Sequence, residues 1–235
     1  MQSLDFHMSL PDGGPVYYET PHDHEHIWLV EPWNAISSLA YLIPVVYWFV
    51  KLKGDRSKFK FLLACLPLML LGGIGSTLFH GLRSSPWLLY LDFVPIIILI
   101  AMLTYYFSYQ LIENHLIVSF LLLFIFGLRI FVSQVFPNHT GINISYFIGG
   151  ASLFLPAFIL LRKTNFLAWN DLVLAAALFI LALLFREMDR WDTQPLTMGT
   201  HFLWHLFSAA GGFFLGKYLF RFQFFRLRIL KHQII

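Results

Sequence analysis

Two histidines near the end of the chain, His201 and His205, have the spacing of a metal-binding pair. Residues four apart lie on one face of an α-helix, so both imidazoles project in the same direction. A third histidine from another helix, His80, would leave one tetrahedral position open for water, as in catalytic zinc sites. The pattern therefore predicts a zinc site at these three residues, although pairs with this spacing also occur without a metal.

Asp92 and Ser76 complete a candidate active site. Asp92 stands in an apolar run, where an unpaired carboxylate is costly, and it is predicted to take a proton from a zinc-bound water or to orient a ligand histidine. Ser76 lies four residues before His80 and is predicted to donate to a developing oxyanion. The structural alternatives are helix packing for Ser76 and, for Asp92, an ion pair with Arg129, Arg186 or Arg190.

The composition indicates that these residues lie in a membrane protein. Of the 235 residues, 58% are hydrophobic and 12% are charged. A soluble domain carries about twice that charged fraction, so a cytosolic globule and a disordered chain are excluded. A net charge of +3, spread along an apolar chain, does not predict a nucleic-acid partner. The single cysteine, Cys65, excludes an internal disulfide.

Seven apolar segments approach the ~20 residues that a helix needs to cross a bilayer. They are Trp33–Val50, Phe59–Phe79, Trp87–Tyr109, His115–Phe136, Ile142–Leu161, Leu172–Phe185 and His201–Phe220. Their continuous apolar character favours helices over a β-barrel. We therefore predict an all-α integral membrane protein with a seven-transmembrane helix bundle at 33–220. An extracytoplasmic segment, 1–32, precedes the bundle, and a basic cytoplasmic tail, 221–235, follows it.

Basic residues orient this bundle. They are concentrated in the connection KLKGDRSKFK, at Arg162 and Lys163, and in the C-terminal tail, all of which lie on one side if there are seven spans. That side is the cytoplasm by the positive-inside rule, so the acidic N-terminus is outside and the C-terminus is cytoplasmic. The three histidines and Asp92 then fall at one depth near the outer face, although they are far apart in sequence. This agreement predicts one site built from spans two, three and seven.

Four short motifs resemble those of the alkaline ceramidases and their bacterial relatives. These enzymes belong to the seven-helix CREST hydrolase superfamily, which also includes the adiponectin-receptor-like proteins. The motifs are EPWNAISS beginning at Glu31, GSTLFH ending at His80, YLDFVP around Asp92 and HFLWHLFSA beginning at His201. Asp189 in REMD is similar to an acidic position at the end of the family's sixth helix. The likeness covers nearly the whole bundle.

The resemblance implies a zinc amidase that cleaves ceramide to a sphingoid base and a fatty acid. It implies that His80, His201 and His205 hold the zinc, that Asp92 handles the proton of the zinc-bound water and that Ser76 stabilises the oxyanion. It also implies a calcium site just before the first helix. Glu31 fits that site, and Glu19, Asp23 and Glu25 are further candidates. The run from His22 to His26 is either a separate metal binder or a solvated loop.

Two departures from the family affect the predicted substrate. Phe93 follows Asp92 where the ceramidases have a second acid, and the short connections resemble bacterial members. Because many bacteria lack sphingolipids, another N-acyl lipid is also a candidate substrate. We expect a zinc-dependent intramembrane lipid amidase of the bacterial inner membrane, with its site toward the periplasm. The alternatives are a receptor or sensor, a zinc-dependent lipid esterase or phospholipase, and a transporter, which would need polar residues near the midplane.

Overall fold

The computed structural model of the chain describes residues 10, 12–21, 27–136 and 138–233, and all regular structure in these ranges is helical. The helices are α1 (Pro32–Ser38), a 3₁₀ turn (Leu39–Tyr41), α2 (Leu42–Lys51), α3 (Lys60–Leu82), α4 (Pro86–Ile112), α5 (His115–Val135), α6 (Asn138–Lys163), α7 (Trp169–Met188) and α8 (His201–Gln233). Helix α3 packs mainly on α4, and α7 packs mainly on α8.

Five of these elements are long and apolar enough to cross a membrane. They are the combined segment Pro32–Lys51, then α3, α4 and α5, and the part of α6 from His139 onward. Within the described residues, an all-helical bundle with several helices long and apolar enough to cross a membrane is therefore confirmed. The prediction of seven spans remains a prediction, because α7 and α8 are not among the five.

Most helices begin or end at residues other than the predicted ones, and two of these differences affect α7 and α8. The sixth predicted span, Leu172–Phe185, is extended at both ends in α7. The predicted start of a separate tail, at residue 221, falls inside α8, which continues to Gln233. Neither glycine nor proline occurs between 217 and 233, and the basic and apolar residues there are adequate helix formers, so nothing in the sequence ends the helix earlier.

An apolar core fills one half of the bundle. It contains side chains from α2, α3, α4, α6, α7 and α8, with Phe107 and Tyr218 fully buried at its centre. At the same end, Asp171 of α7 forms ion pairs with Lys217 at 3.0 Å and Arg221 at 2.8 Å, both on α8. Apolar packing and these ion pairs hold α7 and α8 side by side.

The opposite end of the bundle buries polar side chains instead. It contains the C-terminal end of α3 and the first turns of α8, and residues 12–21 lie over it, held in part by a hydrogen bond from the Tyr18 backbone N–H to Asp189 at 3.0 Å. Buried polar groups are stable only when they have partners. The structure of this end therefore depends on the hydrogen bonds that its polar side chains form.

Gly75 allows α3 and α4 to approach backbone to backbone. A β-carbon at this position would lie 2.3 Å from the carbonyl carbon and oxygen of Leu91. Ser76 and Asp92 immediately follow these two residues in sequence. The close approach therefore sets the distance between two of the predicted site residues.

We predict that Gly75→Ala destabilises the protein by about 1–3 kcal/mol, because the new methyl group meets rigid backbone and not a movable side chain. Thermal unfolding of the purified protein in detergent measures the change. Gly127→Ala is the matched control, since a β-carbon there meets nothing within 4 Å. Equal melting temperatures for the two variants would show that α3 and α4 are not in such close contact.

Candidate metal centre

Three histidines converge at the polar end of the bundle. His80 comes from the last turns of α3, and His201 and His205 come from the first two turns of α8. One ring nitrogen from each residue lies within 4.8 Å of the other two. Their exposed fractions are 0%, 2% and 2%, so the rings are shielded from bulk solvent. The structure thus brings together the three residues that the sequence predicted as metal ligands.

The histidine cluster fits a metal ion. Tetrahedral zinc with bonds of ~2.0 Å has nitrogen ligands ~3.3 Å apart, so a small side-chain adjustment would close the cluster around an ion. Nε2 of His80 and Nδ1 of His201 are buried and have no hydrogen-bond partner. Unpartnered buried nitrogens are costly, and a bound cation would satisfy them. The donor set of three imidazoles is compatible with zinc.

Two serines orient His205. Its Nδ1 lies 2.9 Å from the Ser37 hydroxyl and 3.2 Å from the Ser38 hydroxyl. Both serines are buried at the C-terminal end of α1. With Nδ1 occupied in this way, Nε2 is the nitrogen left for a metal. Hydrogen bonds of this kind fix the ring orientation and tautomer of metal-binding histidines.

A carboxylate orients His80 in the same manner. Nδ1 of His80 lies 2.5 Å from Glu31, which precedes α1. The other oxygen of Glu31 accepts a hydrogen bond from Arg83 at 2.5 Å. Arg83 also donates to Asp12 through Nε at 2.6 Å. A fully buried chain of hydrogen bonds thus runs from His80 through Glu31 and Arg83 to residue 12.

This chain keeps Glu31 ionised. Burial acts to raise the pKa of Glu31, but the neighbouring His80 and Arg83 outweigh burial and hold that pKa below its usual value. An ionised carboxylate on Nδ1 increases the electron-donating strength of the opposite nitrogen, Nε2. Glu31 therefore prepares His80 to bind a cation.

His201 is positioned through its backbone and its ring. The carboxylate of Asp189 accepts hydrogen bonds from the backbone N–H groups of Thr200 at 2.7 Å and His201 at 2.9 Å. These bonds satisfy free donors at the start of α8 and fix the turn that carries the histidine. The ring of Tyr17 stacks on the His201 ring, with centroids 3.9 Å apart.

Ser76 and Asp92 lie beside the histidines. Ser76 is buried one turn before His80 on α3, and its hydroxyl is 3.0 Å from that of Ser38. Asp92, on α4, interacts with the Ser76 hydroxyl and faces His80 and Arg186 electrostatically. Arg129 instead donates to Ser145. Within the described residues Asp92 has no ion pair within 4 Å, so the alternative of a simple structural salt bridge is not observed.

The predicted calcium ligands have other partners. Glu31 is surrounded by protein donors, and Glu19 accepts the backbone N–H groups of Trp33 and Asn34 at the start of α1. Burial raises the pKa of Glu19. Among the described residues the three histidines form the only group of this size that could hold a metal. Asp23 and the histidine run at 22–26 lie outside those residues, so calcium at this site stays a prediction.

Three residues of the centre were missed by the sequence analysis. Asp12, Tyr17 and Arg83 reach the histidines only because residues 12–21 fold back over the end of the bundle. Arg83 offered one usable signal, since it is a charged residue three positions after His80. Asp12 and Tyr17 offered none, because no periodicity relates an irregular segment to a distant helix.

No protein-family model and no curated protein matches this chain. The side chains themselves define the chemistry of the centre. It offers three nitrogen donors to a metal, a carboxylate that can accept a proton and a hydroxyl that can donate a hydrogen bond. These groups lie together at one end of a largely apolar bundle.

We predict that the purified protein binds about one zinc ion per chain and that His80→Ala or His205→Ala abolishes this binding, because two imidazoles hold zinc far less tightly than three. Elemental mass spectrometry of the purified variants measures the metal content. His115→Ala, an exposed histidine at the start of α5, is the control and should retain zinc. Stoichiometric zinc in both ligand variants would refute the assignment.

Proposed function

We propose that the protein is a zinc-dependent lipid amidase that cleaves the amide of ceramide or a similar N-acyl lipid to a fatty acid and an amine. One observation carries the proposal: three buried histidines from two helices that are far apart in sequence converge beside Asp92 and Ser76. The four motifs that resemble the alkaline ceramidases support the same reaction. A receptor or a zinc-dependent esterase would use the same ligands, and the experiments below separate these possibilities.

The side chains around the histidines suit amide hydrolysis. Zinc, when bound, would supply a water of lowered pKa and a Lewis acid for the amide carbonyl. The Asp92 carboxylate would accept a proton and deliver it to the nitrogen of the leaving amine. The Ser76 hydroxyl would donate a hydrogen bond to the carbonyl oxygen as it gains negative charge. Glu31 and the two serines on α1 would hold the histidine rings in place.

The arrangement in the membrane is part of the proposal. We infer seven spans, with α7 and α8 crossing beside the other five and the histidine centre near the outer face of a bacterial inner membrane. Exposed tryptophans support a membrane–water interface at the polar end of the bundle. Trp28 and Trp87, near this end, have exposed fractions of 95% and 78%. Tryptophan is enriched where membranes meet water. A lipid amide could then reach the site sideways from the outer leaflet.

We predict that Asp92→Asn lowers amide hydrolysis by about 10²–10⁴-fold, because the asparagine cannot accept the proton. Release of fatty acid from a panel of N-acyl lipids, followed by mass spectrometry, measures the rate. Asp55→Asn, in the exposed connection between α2 and α3, is the matched control and should be fully active. The zinc content of Asp92→Asn should equal that of the wild type.

The outcomes of this assay separate the candidate functions. Hydrolysis of lipid esters but not amides would favour the esterase. A zinc-loaded protein that releases fatty acid from no lipid, in wild type and variant alike, would overturn the amidase proposal and favour the receptor.

We predict that the C-terminus lies in the cytoplasm, because the basic connections and the basic end of α8 fall on one side of a seven-span bundle. Fusion of green fluorescent protein or alkaline phosphatase after Ile235 tests this orientation. The fluorescent fusion should be bright and the phosphatase fusion inactive. An active phosphatase fusion would exclude the proposed orientation.

A further inference from the structure

A small, partly enclosed cleft opens beside the histidine centre, between the N-terminal segment and the ends of α6 and α7. Its lining includes Tyr17, Asn143, Asp189 and two arginines, Arg186 and Arg190. Two guanidinium groups of like charge in one small cleft are unfavourable unless something binds between or beside them, and this cleft lies next to a candidate lipid-cleaving centre.

Arg186 is held in place by aromatic rings. Its guanidinium carbon lies 5.3 Å from the ring centroid of Tyr146 and 5.6 Å from that of Trp204. Nε donates to the side-chain oxygen of Asn143 at 2.9 Å. Only 6% of the residue is exposed. Contacts of this kind fix the position of a cation without neutralising its charge.

No described carboxylate lies within 4 Å of the Arg186 nitrogens. A buried cation without an ion-pair partner is unusual, because its desolvation is costly. Asp92 acts on Arg186 only through the longer-range electrostatic field. The neighbouring Asp189 is occupied by three backbone N–H groups, those of Tyr18, Thr200 and His201.

Arg190 adds a second cation with free hydrogen-bonding capacity. Its Nε is buried and has no hydrogen-bond partner. Its Nη1 is 3.5 Å from Glu187, a loose contact with a half-exposed carboxylate that also accepts a hydrogen bond from Asn143. Among the described residues, neither arginine of the cleft therefore has a close ion-pair partner that uses all of its hydrogen-bond donors.

The cleft and the histidine centre share a wall. The ring of Tyr17 stacks on His201 and lies 5.9 Å from the guanidinium carbon of Arg186. A lipid whose polar end occupies the cleft would therefore have its next few atoms close to the three histidines. A guanidinium group matches the geometry of a carboxylate or phosphate with two parallel hydrogen bonds.

We infer that Arg186 and Arg190 form a binding subsite for the anionic head group, a carboxylate or a phosphate, of the lipid that reaches the histidine centre. This inference rests on the proposed amidase function and narrows its substrate class. The substrate is then an N-acyl lipid that carries an oxyanion near its amide, such as an N-acyl amino acid or a phosphorylated N-acyl sphingoid base. Uncharged ceramide is a poorer substrate.

Binding of three amphiphiles with the same chain tests the subsite without requiring turnover. The probes are oleate, oleyl phosphate and uncharged oleyl alcohol, measured on wild-type protein with and without a zinc chelator. We expect at least one anion to bind about tenfold or more tightly than the alcohol in both conditions. If the tighter binding of the anion persists after chelation, the arginines, and not a metal, select the charge. The two anions distinguish a carboxylate subsite from a phosphate subsite.

The preference should depend on the arginines. Arg186→Gln should remove the preference, and Arg190→Gln, at a side chain that is 30% exposed, should reduce it. Arg129→Gln, which removes a cation bound to Ser145 on α6, is the matched control and should leave the preference intact. Equal binding of all three probes to the wild type, or an unchanged preference in a folded Arg186→Gln or Arg190→Gln variant, would overturn the inference.

Turnover separates this inference from the function on which it rests. If N-palmitoylglycine or ceramide phosphate is cleaved faster than ceramide, both proposals are supported. If ceramide is cleaved as fast as the anionic lipids and the anionic probes bind no more tightly than the alcohol, the amidase proposal is supported and the subsite is refuted. If anions bind selectively but no amide is cleaved, the amidase proposal is refuted and the arginines form an anion site on a protein of another function.

Discussion

Burial of three imidazoles in one place is the constraint on which this molecule depends. A buried nitrogen without a partner is unfavourable, and neighbouring protonated rings would repel one another. The protein meets this constraint by giving His80 a carboxylate and His205 two hydroxyls. Each of these bonds leaves one nitrogen of its ring available. A bound cation would satisfy the buried nitrogens of His80 and His201 that have no hydrogen-bond partner.

The division of the bundle into two halves follows from this arrangement. The apolar core, with the ion pairs of Asp171, gives stability at one end and leaves the other end free to bury polar groups. Residues 12–21 close that polar end through Asp12 and Tyr17, although they belong to no helix. The hydrogen bonds of a segment outside the bundle thus contribute to the geometry of a site built from helices.

The sequence was informative where a periodic rule applied. The spacing of His201 and His205, and the shared depth of His80 and Asp92 in a charge-oriented bundle, predicted which residues come together. It failed where contacts depend on irregular backbone: nothing in the sequence relates Asp12 to Arg83 or Tyr17 to His201. The hydrogen bonds of Glu31 to His80 and Arg83 were also not predicted, because a carboxylate next to a motif does not reveal which groups it faces. The calcium assignment of Glu31 stays a prediction.

X-ray absorption at the zinc edge of the purified, zinc-loaded protein tests the central claim most directly. The account predicts a spectrum fitted by three imidazole nitrogens at ~2.0 Å and one further light ligand, which marks an open coordination position. A first shell that contains sulfur from Cys65, that is made of oxygens alone, or that is unchanged in His205→Ala would contradict the convergence of the three histidines on one ion.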